Sequence, residues 1–86
     1  MRIDFHRSFD KQYKNLSIKQ KKQFTGRLAV LTIDKTNTIL NNHPLKSKYL
    51  GYRSINITGD VRAIFIEHAA DHLEFVYIGK HAQLYD

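Results

Sequence analysis

The chain has 86 residues, no cysteine and one proline, and its 14 Lys and Arg outnumber 8 Asp and Glu to leave a net charge of +6. These values exclude disulfides, thiolate metal sites and a cysteine nucleophile, and they predict a single domain, residues 1–86, that buries about 60% of the surface its unfolded chain exposes. A positive field on so small a domain attracts polyanions, while the lack of any ~20-residue apolar stretch or signal-like start points to a cytoplasmic protein with no membrane partner.

In chain order, Ile3 and Phe5 alternate with Asp4 and His6, the period of a half-buried strand. Ser8 is then placed to cap a short helix in which Phe9, Tyr13 and Leu16 recur at i, i+4 and i+7. Ser17-Ile18-Lys19-Gln20 reads as a capping box, in which serine and glutamine side chains satisfy each other's orphan amides at a helix start. Phe24, Leu28 and Leu31 form the buried stripe of this second helix, Lys19, Lys21, Lys22 and Arg27 populate its solvated face, and the pattern runs toward Leu40. The two helices form a hairpin.

From Asn41 the character changes. Asn41-Asn42-His43-Pro44 reads as a loop, because the proline pushes His43 out of helical geometry. Residues 52–57 alternate, with Ile55 and Ile57 on one face, and Thr58-Gly59-Asp60 makes a turn. Residues 61–67 form a nearly continuous apolar run, that of a central strand buried on both faces; Ala69-Ala70-Asp71 turns the chain again before a last strand at 73–78. His68 and His72 flank that turn and read as exposed. Consecutive strands with short turns predict an antiparallel meander, and a helical hairpin inserted after the first strand must cover one face of the sheet. The fold class is α+β: an N-terminal strand of undecided pairing, a helical hairpin, then three antiparallel strands.

The sheet face away from the helices is the expected ligand surface. Arg53 and Arg62 are embedded among apolar strand residues, where a guanidinium needs an anion or a cleft; either a bound phosphate or a cross-strand pairing of Arg62 with Asp60, Glu67 or Glu74 answers that need. His81 follows Gly79 and Lys80 directly after the last strand, and histidine exchanges a proton near neutrality. Cleavage of RNA by its own 2′-hydroxyl needs a base, positive charge around the crowded phosphate and an acid for the departing 5′-oxygen, with no metal or cofactor. His43, His81, Asp60 and Arg62 supply those residue types, and Lys46, Lys48 and Lys80 add cations.

Over most of its length, and most specifically in its second half, the sequence resembles the RelE/ParE superfamily of bacterial type II toxins, and most nearly the YafQ-like messenger RNA interferases. The resemblance rests on His43-Pro44-Leu45, on Gly51-Tyr52-Arg53, on Asp60 in a turn, and on Gly79-Lys80-His81-Ala82-Gln83-Leu84-Tyr85. It implies a RelE-like fold and a ribosome-dependent endoribonuclease that cuts messenger RNA in the decoding site and is neutralised by a cognate antitoxin. Carried over residue by residue, it makes His81 the general acid, Asp60 and His43 acid/base or orienting groups, Tyr85 a base-stacking ring and Arg62 the phosphate-binding arginine. Arg53, Lys46, Lys48 and Lys80 join Tyr85 as RNA contacts. YafQ-like toxins carry a further histidine where this chain has Asn56, which can orient a nucleotide but not act as a base, and a basic residue where it has Tyr77. The rival expectation is a toxin without chemistry that poisons DNA gyrase, as in the ParE branch.

Overall fold

A computed structural model of the chain describes residues 1–85. The strands are β1 (Arg2–Phe5), β2 (His43–Pro44), β3 (Arg53–Asn56), β4 (Val61–Ala69) and β5 (His72–Lys80), and the helices are α1 (Arg7–Tyr13), α2 (Ile18–Ile33) and α3 (His81–Tyr85). They build one mixed sheet in the order β1-β5-β4-β3-β2. The β3–β4–β5 meander is antiparallel as expected, and the open question of β1 is answered by parallel pairing with β5, Arg2 opposite His72 and Phe5 opposite Phe75. Among the described residues no helix is long and apolar enough to cross a membrane.

The helical hairpin packs on one face through aromatic rings. Phe9 and Phe24 stand 5.3 Å apart, Phe24 meets Phe75 edge-on at 5.4 Å, and Phe75 reaches Phe65 at 5.2 Å. Leu31, Leu40, Ile55, Ile57, Val61, Ala63, Leu73 and Ile78 complete this core. Truncating one of its buried rings to alanine costs about 3–5 kcal/mol, a large part of the stability of a small domain.

Four local expectations change. Ser8 lies inside α1 and does not cap it: the cap is His6, whose Nδ1 accepts from the Ser8 amide at 3.1 Å, while the Ser8 hydroxyl donates to the Val76 carbonyl at 2.5 Å. The capping box of Ser17 and Gln20 forms as expected, but α2 ends at Ile33, because Asp34 is extended and its carboxylate accepts from the Thr36 amide and hydroxyl. Leu40 still enters the core, from a separate 3-10 turn at Thr38–Leu40, which is why the apolar period continues past the helix. His43 and Pro44, read as loop, form β2 at the sheet edge beside β3. His72, read as exposed, is half-buried and shares a hydrogen bond of 2.8 Å with Asp4 across β1 and β5; His68 is exposed and pairs with Glu74 at 2.9 Å.

β5 contains the irregularity that decides which residues face the site. Phe65 lies opposite Phe75 but Ile64 lies opposite Tyr77, so Val76 is an extra residue. The bulge shifts the two-residue period by one, returning Ile78 to the core and turning Tyr77 and Gly79 to the other face. Beyond Phe75, β5 has no β1 residue beside it, and α1 covers the exposed backbone: Ser8 donates to the Val76 carbonyl, and Gln12 Oε1 accepts from the Ile78 amide at 2.9 Å.

Candidate active site

On the face away from the helical hairpin, Ser54 and Asn56 of β3, Arg62 and Ile64 of β4, and Tyr77 and Gly79 of β5 alternate with core residues. α3 folds back over this face. It begins where the His81 amide donates to the Asp60 carbonyl at 3.0 Å, tying the helix to the β3–β4 turn. The Gln83 side chain accepts from the Lys80 amide at 2.8 Å, half of a capping box. Gly79 makes room for that contact, since a Cβ there would stand 3.0 Å from Gln83 Oε1.

A cavity of about 340 Å³ opens between α3, β2, β3 and β4, lined by Asn41, His43, Leu45, Ser54, Arg62, His81 and Tyr85. His81 and Tyr85 are neighbours on α3 with ring centroids 4.6 Å apart, and Tyr85 Oη donates to Oγ of fully buried Ser54 at 3.2 Å. His43 Nδ1 lies 2.7 Å from the Asn41 carbonyl, an acceptor only, so Nδ1 carries the hydrogen and the neutral ring keeps its lone pair on Nε2. The Arg62 guanidinium donates to the carbonyls of Thr58 at 2.9 Å, Val61 at 3.2 Å and Gly59 at 3.2 Å. The cross-strand pairing considered for Arg62 is absent: among the described residues no carboxylate forms an ion pair with it.

Of the residues singled out from the sequence, His43, Arg62, His81 and Tyr85 thus share one cavity. Asp60 sits beside it and joins through its backbone carbonyl, its side chain exposed in the turn. Asn56 lies on the same face opposite Arg62, and its Oδ1 is buried without a hydrogen-bond partner. Lys46 and Lys48 are exposed around the 3-10 turn Ser47–Tyr49, with the Lys48 ammonium 5.2 Å from the centre of the Tyr49 ring. Lys80 borders a different hollow, between α1, α2 and α3. Arg53 is separated from the cavity altogether: it shares the face of Ile55 and lines a cleft with Lys35 and Asn42.

The structure adds residues that sequence reasoning passed over. Ser54 was legible, since it stands two positions before Asn56 on an alternating strand. Tyr49 carried no such signal. It gathers Tyr52, Tyr77 and Tyr85 around itself at 6.0, 5.8 and 5.7 Å, and its hydroxyl donates to the Leu84 carbonyl at 2.6 Å. Burial, with the neighbouring tyrosines, raises the Tyr49 phenol above its ordinary value, so it stays a donor.

Comparison with known proteins follows the same architecture. The family profile described as "Bacterial toxin of type II toxin-antitoxin system, YafQ" matches residues 1–86. No curated protein sequence matches the chain. Among solved structures, YafQ from E. coli strain BL21(DE3) is similar over 100% of both chains with 23% identity and a TM-score of 0.77. A chain of the E. coli DinJ-YafQ complex matches over 100% of both chains with 26% identity and a TM-score of 0.71. The YoeB/ParE toxin from Agrobacterium tumefaciens matches over 94% of this chain and 99% of its own with 18% identity and a TM-score of 0.77.

Proposed function

The chain belongs to the YafQ family of bacterial type II toxin-antitoxin toxins, and from that membership we propose that it is a ribosome-dependent endoribonuclease that cleaves messenger RNA and is held inactive by a cognate antitoxin. The observation that carries this reading is the convergence of two imidazoles and an arginine without a carboxylate partner on one cavity. His43 Nε2 takes the proton of the 2′-hydroxyl, whose oxygen attacks the adjacent phosphorus. The bond from phosphorus to the 5′-oxygen breaks, and protonated His81 gives that oxygen its proton, leaving a 2′,3′-cyclic phosphate and a 5′-hydroxyl. Arg62 faces the charge that builds on the phosphate. Tyr85, next to His81, offers a ring to an unstacked base. A toxin that blocks gyrase without chemistry leaves this set of groups without a task. The similarity to YafQ chains solved with DinJ supports the antitoxin partner.

His81→Ala lowers single-turnover cleavage of ribosome-bound message by about two to four orders of magnitude on this reading, the range for a positioned acid or base. Cleavage within threefold of the parent removes His81 from the mechanism.

A further inference from the structure

A second cleft, of about 590 Å³, lies on the opposite side of the same sheet edge, and Asn41 lines both it and the cavity of His43 and His81. The two are therefore contiguous around the short edge strand β2. The second cleft is walled by hydrogen-bonding side chains, with Thr36, Thr38, Asn41 and Asn42 around Arg53. No large hydrophobic side chain lines it. Its one carboxylate, Glu67, is matched by Lys35 at 3.0 Å. Arg53 is different: its Nε donates to Asn42 Oδ1 at 2.8 Å, and among the described residues no carboxylate pairs with its half-buried guanidinium. A half-buried guanidinium held at Nε and bordered by hydroxyl and amide side chains has the chemistry to take a phosphate and a sugar.

Resting on the ribonuclease reading above, we propose that this cleft is a flanking-nucleotide subsite: single-stranded RNA leaves the cavity past Asn41, crosses β2, and places a phosphate on Arg53 beneath the other face of the sheet. The chain thus grips RNA on both faces of one edge, and Arg53 serves as a binding residue remote from the reacting phosphate. An acidic antitoxin segment is the competing occupant, and the shared wall at Asn41, which joins this cleft to the cavity of the reacting phosphate, favours RNA.

The test uses the full chain and uncleavable 2′-O-methyl RNA, a dinucleotide and an octanucleotide, with affinities measured at rising salt. The parent binds the octanucleotide more tightly than the dinucleotide. Arg53→Gln keeps a donor for Asn42 but removes the charge; it lowers octanucleotide affinity about tenfold, reduces the salt slope by about 0.7, and leaves dinucleotide affinity nearly unchanged. Arg53→Lys restores the salt slope. Thermal unfolding of each variant verifies the fold. If the parent binds and cleaves RNA but Arg53→Gln keeps the parental salt slope and length dependence, the subsite is overturned and the ribonuclease reading stands. Arg53→Gln weakening only the complex with the antitoxin overturns it in favour of a protein surface; a parent that cleaves ribosome-bound message but binds the octanucleotide no better than the dinucleotide overturns the subsite alone, and a parent that neither binds the octanucleotide nor cleaves ribosome-bound message overturns both.

Discussion

The Arg62 guanidinium is bonded to three carbonyls of the turn that leads into its own strand, so its direction is set before any anion arrives. The same bonds give it a second task, since they tie residues 58–61 together. Arg62→Ala is therefore expected to lower both the cleavage rate and the melting temperature. The lost bonds are worth about 1–2 kcal/mol, or roughly 5–15 °C for a domain of this size. Kinetics and thermal unfolding of the same variant separate the two. A rate loss below threefold beside a full fall in melting temperature reduces Arg62 to a turn residue. Part of the residue scale was legible: the family resemblance marked His43, His81 and Tyr85, which line one cavity, and Ser17 with Gln20 formed the box their pattern predicts. For Arg53 the strand period, not the residue type, decides the face of the sheet. Two positions before Ile55 on an alternating strand, it had to share the core-side face, away from Asn56.

Among the elements, α3 is the one that makes the site, and nothing in five residues after a strand announces a helix. Its place depends on contacts from far along the chain: the Asp60 carbonyl, Ser54 Oγ and the Tyr49 hydroxyl. The Val76 bulge was equally hidden, because an uninterrupted apolar and aromatic run carries no phase, and only packing against α1 and β4 selects which residue is extra. Tyr49 gives the α3 attachment a pH signature. Its phenol holds its proton more tightly in the folded chain than the ordinary 10.0 of an unfolded one. The stabilisation is then complete below pH 10 and lost as pH rises through the higher folded value. Tyr49→Phe keeps the ring cluster but loses the bond to Leu84, about 1 kcal/mol, and flattens the alkaline limb of stability. Denaturant midpoints from neutral pH into the alkaline range check this; parallel curves for parent and variant refute it.

Across the whole molecule, the two sheet edges differ in construction. At one, β2 and β3 hold the cavity and the Arg53 cleft; at the other, β1 is laid parallel on β5 and pinned by Asp4, which accepts from His72 at 2.8 Å and from Arg2 at 3.1 Å. The His72 hydrogen bond, aided by Arg2 and opposed by burial, holds the Asp4 carboxyl below its ordinary 3.8. The unfolded chain thus binds that proton more readily, so the stabilisation is present above pH 3.8 and is lost as pH falls through the lower folded value. Asp4→Asn is expected to flatten the acid limb of the thermal unfolding profile, and an unchanged limb argues that the pair contributes nothing. That edge was the least legible part of the fold, because alternation in Ile3 and Phe5 specifies a strand without naming its neighbour.

The parallel docking of β1 also sets an order of events. Each strand of the meander finds its partner across a turn of a few residues, but β1 meets no partner until residues 72–75 have been laid down beside β4. Closing so long a loop is costly in entropy before any contact repays it, which predicts that β1 joins after the rate-limiting step. Ile3→Ala, at about 2 kcal/mol, should then speed unfolding and leave the folding rate almost unchanged, whereas Ile78→Val in the hairpin should slow folding. Stopped-flow folding measurements distinguish the two, and a slowed folding arm in Ile3→Ala places β1 in the nucleus instead. On that order the first strand of the chain is the last to arrive and the first to leave, so that fraying along β1 would leave the opposite edge, with His43, Arg62 and His81, closed.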